Sequence, residues 1–151
     1  MKLRVLLTGV FLFTCGFCSI AQTGFFLIVT NKENCPHLVK TVDNQQQYCI
    51  PVDPIISGEE FRVEGNLQYD LSRNNQFFGL RLSKLGLETL RLICANLPEK
   101  QLVLVVNGKA AGLYDNKNFK PAEVMSISGK ANSREFQWVY ENLKNKTSIT
   151  K

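Results

Sequence analysis

Apolar positions along this chain follow two patterns. GFFLIVT (Gly24–Thr30) and QLVLVV (Gln101–Val106) are nearly unbroken apolar runs, whereas Phe78, Leu80 and Leu82 occupy every second position of FFGLRL. Short unbroken runs predict buried strands, and alternation predicts a strand with one face on the core. Beyond Leu82 the period changes. Leu87, Leu90, Cys94 and Leu97 recur at the three- and four-residue spacing of a helix face, with Ser83 placed to cap the first turn. Pro98 predicts an end near Asn96.

The same reading places the other elements. HLVKTV and YCIPV are extended segments separated by the polar turn DNQQQ, and residues 53–58 form a loop. Glu59–Asn75 alternates loosely through Phe61, Val63, Leu67, Tyr69 and Leu71, then turns at Asn74-Asn75 into the FFGLRL strand as a hairpin. Asn107-Gly108 predicts a tight turn into a return strand over 109–113, YDNKNFKPAE a loop, and VMSIS (Val124–Ser128) a last strand. Asn132 and Glu135 have the spacing of a capping box, opening a helix that buries Phe136, Val139, Tyr140 and Leu143. The order of elements predicts an α+β fold, a mostly antiparallel sheet with two amphipathic helices packed on one face.

The 151 residues suffice for one modest core, and the first 21 do not read as part of it. Lys2 and Arg4 precede the apolar run Val5–Phe17, and Ser19-Ile20-Ala21 offers small residues for cleavage after Ala21. The run is short for a membrane span, so a cleaved signal peptide is expected over a retained anchor. The remaining chain divides into an N-terminal strand segment over 22–50 packed on the domain, an α+β domain over 51–144, and a mobile tail over 145–151. Without Lys2 and Arg4, the 18 basic residues become 16 against 13 acidic ones, a net charge of +3. That is too mild and dispersed to point to nucleic acid.

Export bears on the cysteines. Cys15 and Cys18 leave with the signal, and Cys35, Cys49 and Cys94 remain. Cys35 and Cys49 are the candidate disulfide, in an irregular N-terminal segment, although spacing alone does not fix the pairing. Cys94 falls on the apolar face of its helix and reads as a buried thiol.

Little in the chain points to catalysis. The one histidine, His37, has no partners at ligand spacing and reads as a surface or loop residue. Ser83-Lys84-Leu85-Gly86 lacks the glycines that cradle phosphate, and no serine sits in a nucleophile elbow. Asp53, Glu59 and Glu60 read as a solvated loop, and Cys94 has no base beside it. Neither an enzyme nor a cofactor or metal site is expected.

From Cys49 to Lys144 the sequence resembles the head subdomain of the first periplasmic domain of SecD and SecDF proteins. The resemblance rests on GLRLSKLGLETLRLICANL, with Leu80, Leu82, Ser83 and Gly86 at the family spacing, on QLVLVVNGKAAG, where Asn107 replaces the usual aspartate, and on SISGKANSREFQWVYENL. PVDPIISGEEF is similar to the segment that opens that subdomain. The resemblance implies an α+β fold and contact with polypeptide emerging from a translocase. No transmembrane helices follow here and no base subdomain fits, so a freestanding module is expected rather than a motor.

The leading expectation is therefore a non-catalytic periplasmic module that binds extended polypeptide or another envelope protein, by strand addition or in an apolar groove. Its candidate contact residues are Asn107, Gly108, Lys109, Tyr114, Phe119 and Trp138. Trp138 lies beside the buried face of its helix, either an exposed anchor or a cover over the core. The alternative is a secreted inhibitor or effector that binds one folded partner, with a small hydrolase a distant third.

Overall fold

A computed structural model describes residues 22–30 and 32–148. The expected signal peptide over 1–21 lies outside the described residues. Among the described residues, nine strands and two helices follow one another: β1 (Gly24–Leu27), β2 (His37–Thr41), β3 (Gln47–Ile50), β4 (Ile56–Ser57), β5 (Phe61–Asp70), β6 (Asn75–Leu82), α1 (Lys84–Asn96), β7 (Gln101–Val106), β8 (Lys109–Asp115), β9 (Val124–Lys130) and α2 (Arg134–Ser148). A 3₁₀ turn over Lys32–Asn34 separates β1 from β2.

The strands divide between two sheets rather than forming one. Six are ordered β3-β2-β8-β7-β1-β4, and three are ordered β5-β6-β9. Every pairing is antiparallel except that of β2 with β8. The two unbroken apolar runs, β1 and β7, lie side by side near the middle of the larger sheet, with Phe25 opposite Leu104 and Phe26 opposite Val103. Side chains alternate across a strand, so such runs must be covered on both faces.

Two cores do this. The main one lies between the sheets and takes Phe25, Leu102, Leu104 and Val106 from the larger sheet, Phe78, Leu80, Leu82, Met125 and Ile127 from the smaller, and Leu90, Phe136, Val139, Tyr140 and Leu143 from the helices. Both helices serve this one core. The second core lies on the outer face of the larger sheet: Phe26, Val103 and Val105, none of them exposed, pack with Val39, Ile50 and Ala110. The β2–β3 hairpin curls over that face. The Val29 amide donates to the Cys49 carbonyl at 2.9 Å, so β3 returns to the end of β1, and a disulfide joins Cys49 to Cys35.

Local signals set the helix ends. The Ser83 hydroxyl accepts from the Gly86 amide at 3.0 Å and caps α1. At the other end, Asn116, itself buried, donates its side-chain amide to the Leu97 carbonyl at 2.8 Å. For α2 the cap is Ser133 and not Asn132, because Asn132 takes a left-handed conformation (φ 61°) and helical geometry starts one residue later than the box predicts. The Ser133 oxygen accepts from the Phe136 amide at 3.2 Å while its hydroxyl donates to Glu135 at 2.7 Å. The helix then runs four residues past Lys144, through the start of the expected tail, with Lys146 at its dipole-favoured end. Two smaller differences concern strands: Ile56–Ser57 pairs with β1 inside the expected loop, and β8 continues through Tyr114 and Asp115.

Gly129 fixes how α2 meets β9. A Cβ built there would overlap the Phe136 ring, so the helix start lies directly on the strand backbone. The buried Gln76 side chain donates to the Ser133 carbonyl at 3.3 Å and fastens the β5–β6 hairpin to the same point.

Two measurements check these supports. Replacing Cys35 and Cys49 by alanine should lower stability by about 3 kcal/mol, since the bridge closes a loop of about 15 residues, and chemical denaturation reads it. Gly129→Ala should destabilise by about 1–3 kcal/mol through the clash with Phe136, and a thermal melt unchanged from wild type would contradict that packing.

Candidate functional site

Four of the six residues singled out in the sequence meet at one end of the molecule. Asn107 (φ 47°) and Gly108 (φ 76°) both take the left-handed conformation that a tight two-residue hairpin requires. Chain from outside the hairpin holds them there. The Asn107 amide donates to the Thr23 hydroxyl at 3.0 Å, and the Gly108 amide donates to the Gln22 carbonyl at 3.0 Å. The Asn107 side chain donates to Asn142 at 2.8 Å, and Asn142 in turn donates to the Trp138 carbonyl at 2.8 Å. The Lys109 ammonium stands 5.8 Å from the centre of the Trp138 ring. Trp138 is half-buried against the main core, so its ring both covers that core and carries a cation. The polar groups at this end are largely engaged with one another.

Tyr114 and Phe119 do not join that cluster. Their ring centres lie 5.2 Å apart, and Tyr114 lies 6.0 Å from Phe25, which in turn meets Phe61 edge-on at 5.5 Å. This aromatic row belongs to the main core. The Tyr114 hydroxyl lies over Gly112, close enough that a Cβ there would come within 3.1 Å of it. Burial pushes that phenol well above the ordinary tyrosine value. The loop they bracket therefore packs against the core, with both rings partly buried.

The carboxylates expected to be solvated are so in part. Asp53 and Glu59 are exposed, whereas Glu60 accepts from the Ser57 amide at 2.8 Å and fastens its own loop. His37 opens β2. Cys94 is half-buried, its thiol raised by burial and 3.9 Å from the Asn116 side-chain oxygen. Among the described residues, no three metal-ligating side chains gather, and no helix is long and apolar enough to cross a membrane.

The feature that residue-type reasoning missed is a strand edge. Sheet edges expose unpaired amides and carbonyls, and proteins ordinarily blunt them. Three of the four edges here are blunted. β4 has two residues, β3 has four and curls back to Val29, and β5 is broken by an irregularity between Glu64 and Gln68 and carries Arg62 and Glu64. β9 is different. All seven of its residues pair with β6 in unbroken register, and among the described residues it pairs with no other strand.

The direction of its free groups follows from the register. Leu82 donates to the Glu123 carbonyl and Ala131 to the Asn74 carbonyl, so the bonded pairs are those two and every second pair between them. Met125, Ile127 and Gly129 therefore face β6. Val124, Ser126, Ser128 and Lys130 turn their backbone groups outward, and only the Lys130 carbonyl is taken, by the Ser133 amide at 3.2 Å.

A groove of about 480 Å³ runs beside this edge. Its lining includes Ser128–Lys130 of β9 and Ala110–Leu113 of β8, which is bonded to β2 only through Lys109 and Ala110. Phe136 and Val139 of α2 and the segment Thr41–Asp43 also line it. Hydrogen bonds from Thr41 and the Gln45 amide hold the Asp43 carboxyl below its ordinary range, and the Ser133 hydroxyl does the same for Glu135, against a small opposing effect of Asp43. Two ionised carboxylates thus stand near one another at the groove, with Lys130 also on its border.

Comparison with known proteins adds the fold's setting. A solved structure of SecDF, a membrane component that enhances protein export, has the same fold, with a TM-score of 0.54 over 83% of this chain. Sequence identity is 15%, and the chain spans 64% of the length of that structure. No family model and no curated protein matches the sequence. The similarity is one of fold, and it agrees with the α+β architecture and the SecDF-like domain read from the sequence.

The position of Tyr114 has a measurable consequence. Its folded pKa lies above the unfolded value of 10.0, so the folded state holds this proton more tightly. The associated stability is complete below pH 10 and falls as the pH rises beyond it, with a slope of up to about 1.4 kcal/mol per pH unit. Tyr114→Phe should flatten that alkaline loss in denaturation curves taken across this range.

Proposed function

We propose that this chain is a non-catalytic, exported module that binds extended polypeptide by adding it as a strand to β9, and that it serves as an accessory part of an envelope secretion assembly. The observation that carries the reading is the outward row of backbone groups on Val124, Ser126 and Ser128, completed by the Lys130 amide, along an edge with no bulge and one charged side chain. Backbone groups give affinity for any extended chain, and the adjoining groove gives side chains a place to lodge. The shared fold with SecDF supports a setting in protein export. The Cys35–Cys49 disulfide and the N-terminal Lys2, Arg4 and Val5–Phe17 pattern support an oxidising compartment, the periplasm for a bacterial source.

One observation favours a second reading, an inhibitor or effector with one folded partner. The end formed by Asn107, Gly108, Lys109 and Trp138 is pre-organised by its own hydrogen bonds, which lowers the entropy lost on docking to a rigid surface.

Ser128→Pro separates the two. It removes one outward amide while the ladder to β6, made by Met125, Ile127 and Gly129, stays intact. Binding of a fluorescent, permanently unfolded polypeptide should weaken by about tenfold, with the fold retained by circular dichroism. Undiminished binding by a folded variant would exclude strand addition at β9. A wild-type protein that ignores unfolded chains but co-purifies with one folded protein would favour the inhibitor reading.

A further inference from the structure

We infer that the segment taken up by this edge alternates apolar and polar residues and carries a basic side chain at the end that lies beside Lys130. This rests on strand addition at β9 and names the kind of chain it selects. A strand laid against Val124–Lys130 must present its side chains alternately to the two faces of the smaller sheet. One face continues the line of Met125, Ile127 and Gly129, which is the core side of β9. Side chains on that face continue the apolar line of Met125 and Ile127 towards Phe136 and Val139, and at the end beside Ser128–Lys130 they reach the groove, whose lining also includes Thr41, Asp43, Tyr48 and Glu135. The other face continues the line of Val124, Ser126, Ser128 and Lys130, every one exposed to water.

The two faces demand opposite chemistry. A uniformly polar segment would set polar side chains against the apolar line of Met125, Ile127, Phe136 and Val139, and a uniformly apolar one would leave half its side chains in water. Alternation satisfies both, and reordering the same residues does not. Charge sets the end. Asp43 and Glu135 are ionised on the groove beside Lys130, and Lys130 projects from the watery face of β9. A cation on the groove-facing side of the guest meets two carboxylates there against the single ammonium of Lys130, a net attraction. An anion meets the same two and is repelled.

Three short labelled peptides, capped and dilute enough to stay monomeric, test this against the whole protein by fluorescence anisotropy. The first alternates valine with threonine or serine and carries one terminal lysine on the valine face. The second has the same composition with its valines in one block. The third replaces the lysine by glutamate. The first should bind about tenfold tighter than the second. The third should bind severalfold more weakly than the first at low salt, and Asp43→Asn with Glu135→Gln should abolish or reverse that difference, because Lys130 is then the charge left at the site.

Equal affinity for the first two peptides would overturn the preference for alternation while leaving strand addition standing. Equal affinity for the first and third would overturn the charge assignment. No binding by any peptide, under conditions where an unfolded protein binds and Ser128→Pro releases it, would overturn this inference alone. If Ser128→Pro changes nothing, the strand-addition reading itself fails. A dimer in sedimentation that Ser128→Pro dissociates would show that a second copy fills the edge, and would overturn the inference.

Discussion

Phe25 and Phe26 are neighbours on one strand, point to opposite faces of the larger sheet, and are both fully buried. That one requirement organises the molecule. Burying a phenylalanine contributes about 1.5–3 kcal/mol, so leaving either ring in water would remove a large part of a small domain's stability. The Phe25 side recruits the smaller sheet and both helices. The Phe26 side has only the β2–β3 hairpin to cover it, and a hairpin alone is marginal in water. The disulfide to Cys49, the parallel contact of β2 with β8 and the Val29–Cys49 hydrogen bond hold that hairpin down. The N-terminal segment, set apart from the domain when judged by composition, supplies a central strand.

What the sequence revealed and what it hid follow from range. Patterns that depend on near neighbours were legible: the alternation of Phe78, Leu80 and Leu82, the Ser83 cap, the Asn107-Gly108 turn, and the apolar face of α2. Asn132 misled because cap choice depends on which residue turns left-handed, which the spacing of Asn132 and Glu135 does not state. The division into two sheets was not legible, because pairing partners are fixed by distant contacts that leave no local period. The unbroken run QLVLVV came nearest to disclosing it, since a strand apolar at every position must be covered twice.

The candidate site shows the same split. Residue types drew attention to aromatic and turn residues, and the structure packs Tyr114 and Phe119, partly buried, against the core while gathering Asn107, Lys109 and Trp138 at one end. The open edge of β9 was hidden because its chemistry lies in the backbone. Serine at 126 and 128 looks unremarkable in a sequence. It becomes informative only beside β3, β4 and β5, whose lengths, curl and irregularity keep other strands away.

The place of β1 in the sheet also decides when this chain can fold. Its partner in the middle of the larger sheet is β7, with Phe25 opposite Leu104, so the first strand to emerge from a ribosome or a translocation pore waits for one almost eighty residues behind it. Contacts of such long range slow folding. Until β7 arrives, β1 has the β2–β3 hairpin and β4 beside it but lacks its partner in the middle of the sheet. The middle of the larger sheet therefore closes only once the chain through Val106 is available, however early its first strand is made.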